Sequence, residues 1–282
     1  MSRYDFRTPR LYIDTPLEAG ASVALDASQA NYLGNVLRLK TGDAVLVFNG
    51  RDGEWRGSLT SAGKRRLALD IAERTRPQTG ALDLHYLFAP LKHARLDYMA
   101  QKAVEMGVSR LQPVITRHAQ AARVNLERMQ ANAIEAAEQC GILTLPEIGA
   151  PLAFDRMMAA RDPARLLVFC DEDAEVKDPV AALAAARAAL ASEASGQRGD
   201  SIVRAPDTRP EPGSSARGQN NTEPMPLAVL VGPEGGFAAD ERAALLALPN
   251  TVRLALGPRI LRADTAAVAA LALVGAVLGD WR

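Results

Sequence analysis

The chain has 282 residues, 48% of them hydrophobic and 23% charged, which is enough apolar material for one large domain or two smaller ones with a buried core. Its formal net charge is zero, so the overall field exerts no strong pull on nucleic acid, and any RNA contact must come from local basic patches. Cys140 and Cys170 lie far apart, His85, His93 and His118 are scattered, no stretch is apolar over a membrane-spanning length, and the start MSRYDFRTPR lacks the apolar core of a signal peptide; no metal, no membrane and a reduced, cytoplasmic setting are expected.

Residues 1–76 read as mostly β. Short strands are predicted at Leu11–Ile13, Val23–Leu25, Ala44–Phe48, Glu54–Leu59 and Leu67–Ile71, with one helix over Ser28–Leu37. Asn49-Gly50 and Asp52-Gly53 mark a hairpin, and many short strands with turn signals predict a small barrel. Arg3, Arg7 and Arg10 are interleaved with Tyr4, Phe6 and Tyr12, and Arg38 and Lys40 follow in NVLRLKTGD. Basic and aromatic residues on a small barrel suit single-stranded RNA, through phosphate contacts and stacking. A further patch, Lys64 to Arg66, also reads as a plain solvated face. Thr75–Gly80, with Pro77, reads as a linker.

From Leu82 the rhythm changes. Apolar runs at Leu82–Ala89, Leu111–Ile115, Leu166–Cys170, Leu227–Val231 and Val252–Leu256 alternate with helical patterns. Leu96, Met99, Ala100, Ala103 and Val104 share one helix face, with Gly107 as the stop; a second helix, Asn125–Cys140, ends at Gly141. This alternation predicts a largely parallel sheet covered on both faces. Ala191–Pro226 has almost no large apolar side chain and is predicted to be a disordered insertion.

Two glycine-bearing segments follow apolar runs: LVGPEGGF, Leu230–Phe237, and LGPRILRADTA, Leu256–Ala266. In open α/β sheets ligands bind outside the carboxyl ends of the strands. The segments match neither the phosphate-binding loop that ends in Lys-Ser/Thr nor the dinucleotide fingerprint, so a ligand without phosphates is expected. Arg259 and Arg262 suit a developing negative charge, and Asp264 or Thr265 suits a helix cap.

Taken together, NVLRLKTGD, LKHARLDYMAQKAVEMGVSRLQPVITRHAQ, EAAEQCG, LVGPEGGF and LGPRILRADTAA, in this order, resemble the bacterial 16S ribosomal RNA uridine-N3 methyltransferases, the RsmE family of the SPOUT superfamily. The resemblance spans nearly the whole chain outside Ala191–Pro226. It implies an RNA-binding PUA-like β-barrel (1–76), then a SPOUT α/β domain (77–282) with a C-terminal trefoil knot, a homodimer to which Leu271–Leu278 contributes, and S-adenosylmethionine as cofactor. Carried over, the cofactor contacts fall on Phe169, Glu172, Leu230, Gly232, Pro233, Glu234, Gly235, Gly236, Leu256, Gly257, Ile260, Leu261, Arg262 and Thr265. Catalytic roles fall on Arg262, Thr265 and Glu234, and RNA binding on Arg3, Arg7, Arg10, Arg38 and Lys40. Where the family commonly reads Arg-Thr-Glu-Thr this chain has Arg262-Ala263-Asp264-Thr265, so no catalytic role passes to Ala263 or Asp264. The implied function is N3 methylation of a uridine in 16S ribosomal RNA of the small subunit. A 2′-O-ribose methyltransferase, a non-catalytic ribosome-assembly module and, against the missing lysine, a nucleotide-binding regulator are the alternatives.

Overall fold

The computed structural model describes residues 5–63, 66–92, 94–121, 123–196 and 225–281. Its N-terminal part is a sheet of β1 (Arg10–Tyr12), β2 (Ser22–Ala24), β3 (Ala44–Phe48), β4 (Glu54–Ser61) and β5 (Leu67–Arg76), in the order β1-β3-β4-β5-β2. Leu11 and Val23 on the two edge strands share one core with Leu59 and Leu69 from the middle, so the sheet must curl around a single centre. The predicted helix is shorter: α1 (Ala27–Asn31) starts with a capping box between Asp26 and Gln29, then loosens into a π-helical turn over Tyr32–Val36. The Asn49–Gly53 turn is tied internally, Asn49 Oδ1 accepting from the Arg51 and Asp52 amides at 2.9 Å each. A side chain at Gly53 (φ 88°) would run into the backbone of Arg76, Pro77 and Gln78.

The larger domain contains β6 (Leu84–Phe88), α2 (Ala94–Glu105), β7 (Arg110–Ile115), α3 (Leu126–Cys140), β8 (Glu147–Ile148), β9 (Leu152–Ala153), α4 (Phe154–Ala160), β10 (Leu166–Cys170), α5 (Pro179–Gly196), β11 (Leu227–Val231), α6 (Ala239–Leu246), β12 (Thr251–Leu254) and α7 (Ala263–Val277). The strand order is β12-β10-β11-β6-β7-β8 and every pair is parallel, with β9 pairing β7 farther along. Side-chain alternation explains the apolar runs. Tyr86, Val168 and Val229 pack under α2 and α7, while their neighbours Leu87, Phe169 and Leu230 pack under α4 and α6. The α3 boundaries follow the predicted chemistry: Asn125 accepts from the Arg128 amide as N-cap, and Gly141 closes the helix at φ 65°.

Two expectations need correction. Thr75 and Arg76 belong to β5, and the residues after them are fastened: Arg76 donates to Gly141 O at 2.9 Å, and Gln78 Nε2 to Leu143 O at 3.2 Å. The stretch read as a linker is thus a packed junction, with Phe48 buried among Val104, Ala133 and Ala137. At the other place, α5 runs on to Gly196, inside the segment predicted to be disordered, because its alanine-rich sequence favours helix without needing large apolar side chains. Met225 packs against the core and Pro226 O accepts from the Leu166 amide at 3.0 Å, so both are ordered on the approach to β11. The rest of that prediction, residues 197–224, lies outside the described residues.

The junction also holds an acid. Glu138 on α3 accepts from the Tyr12 amide at 2.8 Å, and burial pushes its carboxyl up from 4.5 to about 7. The folded state therefore binds a proton that the unfolded state releases, so stability is highest below pH 4.5 for this group and falls as pH rises toward 7. Denaturant melts at pH 5 and pH 8 should show the loss, and Glu138→Gln should flatten that part of the pH dependence; an unchanged slope would contradict the assignment.

Candidate active site

Because β10, β11 and β12 are parallel, their carboxyl ends Cys170, Val231 and Leu254 reach one edge of the sheet. The three loops that follow enclose a cavity of about 280 Å³. Glu172 lines it after β10, Gly232–Gly236 after β11, and Leu256, Gly257, Ile260 and Leu261 after β12. The glycines have separate reasons. Gly236 (φ 70°) and Gly257 (φ 94°) take left-handed backbone, and a Cβ at Gly232 would sit 2.8 Å from the Phe237 ring. The Gly236 amide closes a tight turn onto Pro233 O at 2.9 Å.

Four of the residues expected to contact the cofactor do not line the cavity. Phe169 and Leu230 are wholly buried under α4 and α6, Phe237 meeting the Phe169 ring edge-on at 5.8 Å. Strand alternation turns them away from the cavity and points the next residues, Cys170 and Val231, into it. Arg262 and Thr265 are exposed at its rim, on the start of α7. The predicted cap is also shifted: Arg262 is the N-cap, through its carbonyl, which accepts from the Ala266 amide at 2.8 Å. Asp264 lies within the first turn instead, and Thr265 contributes only its amide, donated to Asp264 Oδ1 at 2.9 Å.

Asp264 has another partner. Arg95, in the first turn of α2, donates from Nε to Asp264 Oδ2 at 3.1 Å and from Nη1 to Glu234. The second oxygen of Glu234 accepts from Gln120 Nε2. The Arg95 hydrogen bond, against the cost of burial and with help from Gln120 and the Arg262 charge, holds the Glu234 carboxyl below its ordinary value. Glu234 is therefore an ionised carboxylate near neutral pH with both oxygens engaged. The β7–α3 loop adds further ties to the same turn. His118 Nδ1 lies 3.2 Å from Gly236 O, which can only accept, so Nδ1 carries the proton in that bond. The Arg117 amide donates to Glu241 at 2.8 Å and its guanidinium pairs with Asp240 at 2.6 Å.

Behind the cavity, buried Asp171 accepts from Arg253 Nε at 2.9 Å and from Arg242 Nη2 at 3.1 Å, joining β10, α6 and β12. Burial alone would raise its pKa, but these two arginines and the Asp173 amide outweigh burial and lower it. Desolvation pushes the Cys170 thiol up to about 12, so it stays protonated and is no nucleophile.

Arg95, Gln120 and His118 are not among the site residues expected from the sequence. Arg95 carried a readable signal: a cation in the first turn of a helix opposes the helix dipole, and such a local conflict marks a tertiary or functional demand. On the N-terminal sheet, Arg7, Arg38 and Lys40 are exposed as predicted. Arg10 is not. Its guanidinium is buried against Glu54 at 2.8 Å and cannot meet phosphate. Arg3, Lys64 and Arg65 lie outside the described residues.

Comparison with known proteins agrees with this architecture. A family model described as an RNA methyltransferase domain matches residues 78–195 and 199–275, and one described as an RNA methyltransferase PUA domain matches residues 25–72. Ribosomal RNA small subunit methyltransferase E of Rickettsia conorii is 28% identical over 94% of each chain. The protein of the same name from Synechocystis is 29% identical over 92% of this chain and 74% of its own. Lpg2936 of Legionella pneumophila, solved in complex with the bound cofactor SAM, superposes with a TM-score of 0.73 at 26% identity, over 97% of this chain and 99% of that one. The first family model covers well over half of the sequence, so the chain belongs to the RNA methyltransferase family, with a PUA domain preceding its parallel α/β domain.

Proposed function

We propose that this chain transfers the methyl group of S-adenosylmethionine to N3 of one uridine in 16S ribosomal RNA of the small subunit. The observation that carries it is the cavity that the two glycine turns share with the loop after β10, at the carboxyl edge of a parallel sheet, in a member of this family. The relatives' shared name, and the cofactor in the Legionella structure, support it. The lining suits such a ligand. Val231, Leu254 and Leu256 would offer apolar walls for an adenine ring, the glycines leave backbone groups within reach, and the Glu172 and Glu234 carboxylates bring negative charge that would suit a sulfonium cation.

When bound, S-adenosylmethionine would supply an electrophilic methyl group: the carbon–nitrogen bond to N3 would form as the sulfur–carbon bond breaks, leaving the neutral thioether, and the N3 proton would pass to solvent water. The Gly232–Gly236 and Leu256–Leu261 turns would hold the donor, and alignment of donor and acceptor can supply much of the rate of such a transfer. The rim guanidinium of Arg262 offsets negative charge on the uracil ring, and Thr265 lies one helical step farther along the same rim. Glu234, ionised and fully engaged, orders the Gly232–Phe237 turn and is unsuited to taking a proton that leaves near neutral pH. Arg7, Arg38 and Lys40 bind the RNA backbone.

The reading includes a division between residues 76 and 77, a cytoplasmic setting, a homodimer and a trefoil knot through the C-terminal loops. The insertion of β11 between β10 and β6, with β12 returning to the far side of β10, supports the knot. Leu271, Val274 and Leu278 face this chain's own core, whereas Ile260, 94% exposed beside the cavity, supports a second copy there. Among the described residues no helix is long and apolar enough to cross a membrane. Titration calorimetry should find one S-adenosylmethionine bound per chain; a flat titration at millimolar ligand would sink the reading.

A further inference from the structure

Arg95 does not itself line the cavity, yet among the described residues it ties the two glycine-bearing segments together. Its Nη1 pairs with Glu234 in the turn after β11, and its Nε with Asp264 in the first turn of α7, 169 positions away in sequence. Glu234 lines the cavity, and so do Leu261 and Ala263, close to Asp264 in sequence. Gln120 takes the other Glu234 oxygen, so the carboxylate is fixed from two sides. The third guanidinium nitrogen of Arg95 is buried with no partner among the described residues, a cost that a purely solvent-facing ion pair would not incur.

We propose that Arg95 is a positioning residue that sets the width of the cofactor cavity, by clamping the Gly232–Phe237 turn to the start of α7 through Glu234 and Asp264. The geometry requires arginine. Two carboxylates are met by two different nitrogens of one planar group, an arrangement that a lysine ammonium, a single point donor, cannot reproduce. Asp264 is shorter than the glutamate common in the family, and it still reaches Arg95 because α7 begins beside α2, the two helices packing through Ala100, Ala103, Ala267 and Ala270.

The clamp operates in the unliganded chain, so its test does not depend on the cofactor reading. Hydrogen exchange followed by mass spectrometry should show the amides of residues 232–237 and 263–266 exchanging at least tenfold faster in Arg95→Met than in the parent. Protection in the N-terminal sheet should be unchanged, and Arg95→Lys should fall between the two. Unchanged exchange in both segments would overturn the proposal. Asp264→Asn, which breaks one arm, should loosen the same segments and keeps the test decisive if Arg95→Met folds poorly. In turnover assays the inference, which there rests on the proposed function, predicts a KM for S-adenosylmethionine raised about tenfold in Arg95→Met, with the KM for RNA unchanged. Adding Glu234→Gln should then cost little more, because both changes cut the same arm. Equal cofactor KM in parent and variant would contradict the clamp, whereas absence of binding by the parent would contradict the functional reading instead.

Discussion

Arg262→Ala is expected to lower methyl transfer by about a hundredfold to a thousandfold, the range seen when one preorganised donor to a developing anion is removed. The fold should survive intact. Arg262 caps α7 with its carbonyl, which alanine retains, and its exposed side chain packs nothing in the core. The Glu234–Arg95–Asp264 clamp stays complete, so cofactor affinity should change little while kcat falls. Single-turnover assays on unmethylated small subunits, paired with circular dichroism, separate these effects. Near-normal turnover would remove Arg262 from the mechanism. A parallel loss of cofactor binding would move its role from the base to the donor.

The second large effect falls on stability. Glu54→Ala should destabilise the chain by about 3–5 kcal/mol, the cost typical of stranding a buried charge. The carboxylate sits at the start of β4 and serves three groups: Arg10 from β1 at 2.8 Å, and from β5 Arg76 at 3.4 Å and the Thr75 hydroxyl at 2.9 Å. Side-chain exposures of 4% for Arg10 and 3% for Glu54 leave water no route to replace the lost partner. Arg10→Ala should be comparably damaging in urea melts. Arg7, Arg38 and Lys40 are exposed, and their alanine variants should leave the melts unchanged while weakening RNA binding and its salt dependence. A stable Arg10→Ala chain with weakened RNA affinity would return Arg10 to the RNA-binding set.

That contrast shows where the sequence is legible and where it stops. Glycine turns, the Asn125 and Gly141 caps and the parallel-sheet rhythm are local chemistry, and each lies where its residues require. Burial of Arg10 is not local. It depends on Glu54 arriving from another strand, and a three-residue strand is too short for alternation to reveal which arginine points inward. Phe169 and Leu230, carried over from the family resemblance, lie one residue before the strand ends Cys170 and Val231, whose side chains line the cavity. For Arg95 only the local signal is legible: its two partners, in the turn after β11 and the first turn of α7, lie far along the chain and are brought to it by the sheet order. The two-residue strands β8 and β9 fall below the length at which any period can be read. In α5, composition misled, because a dearth of large apolar residues argues against a core but not against an alanine-rich helix.

The most direct test of the central claim is the chemical identity of the product. Small ribosomal subunits from cells lacking this protein would be incubated with the purified chain and S-adenosylmethionine, then digested to nucleosides and analysed by mass spectrometry. The account predicts one N3-methyluridine gained per 16S ribosomal RNA, absent without cofactor and nearly absent with Arg262→Ala. Methyl groups appearing on the ribose 2′-oxygen, or RNA bound without any methyl incorporated, would contradict it.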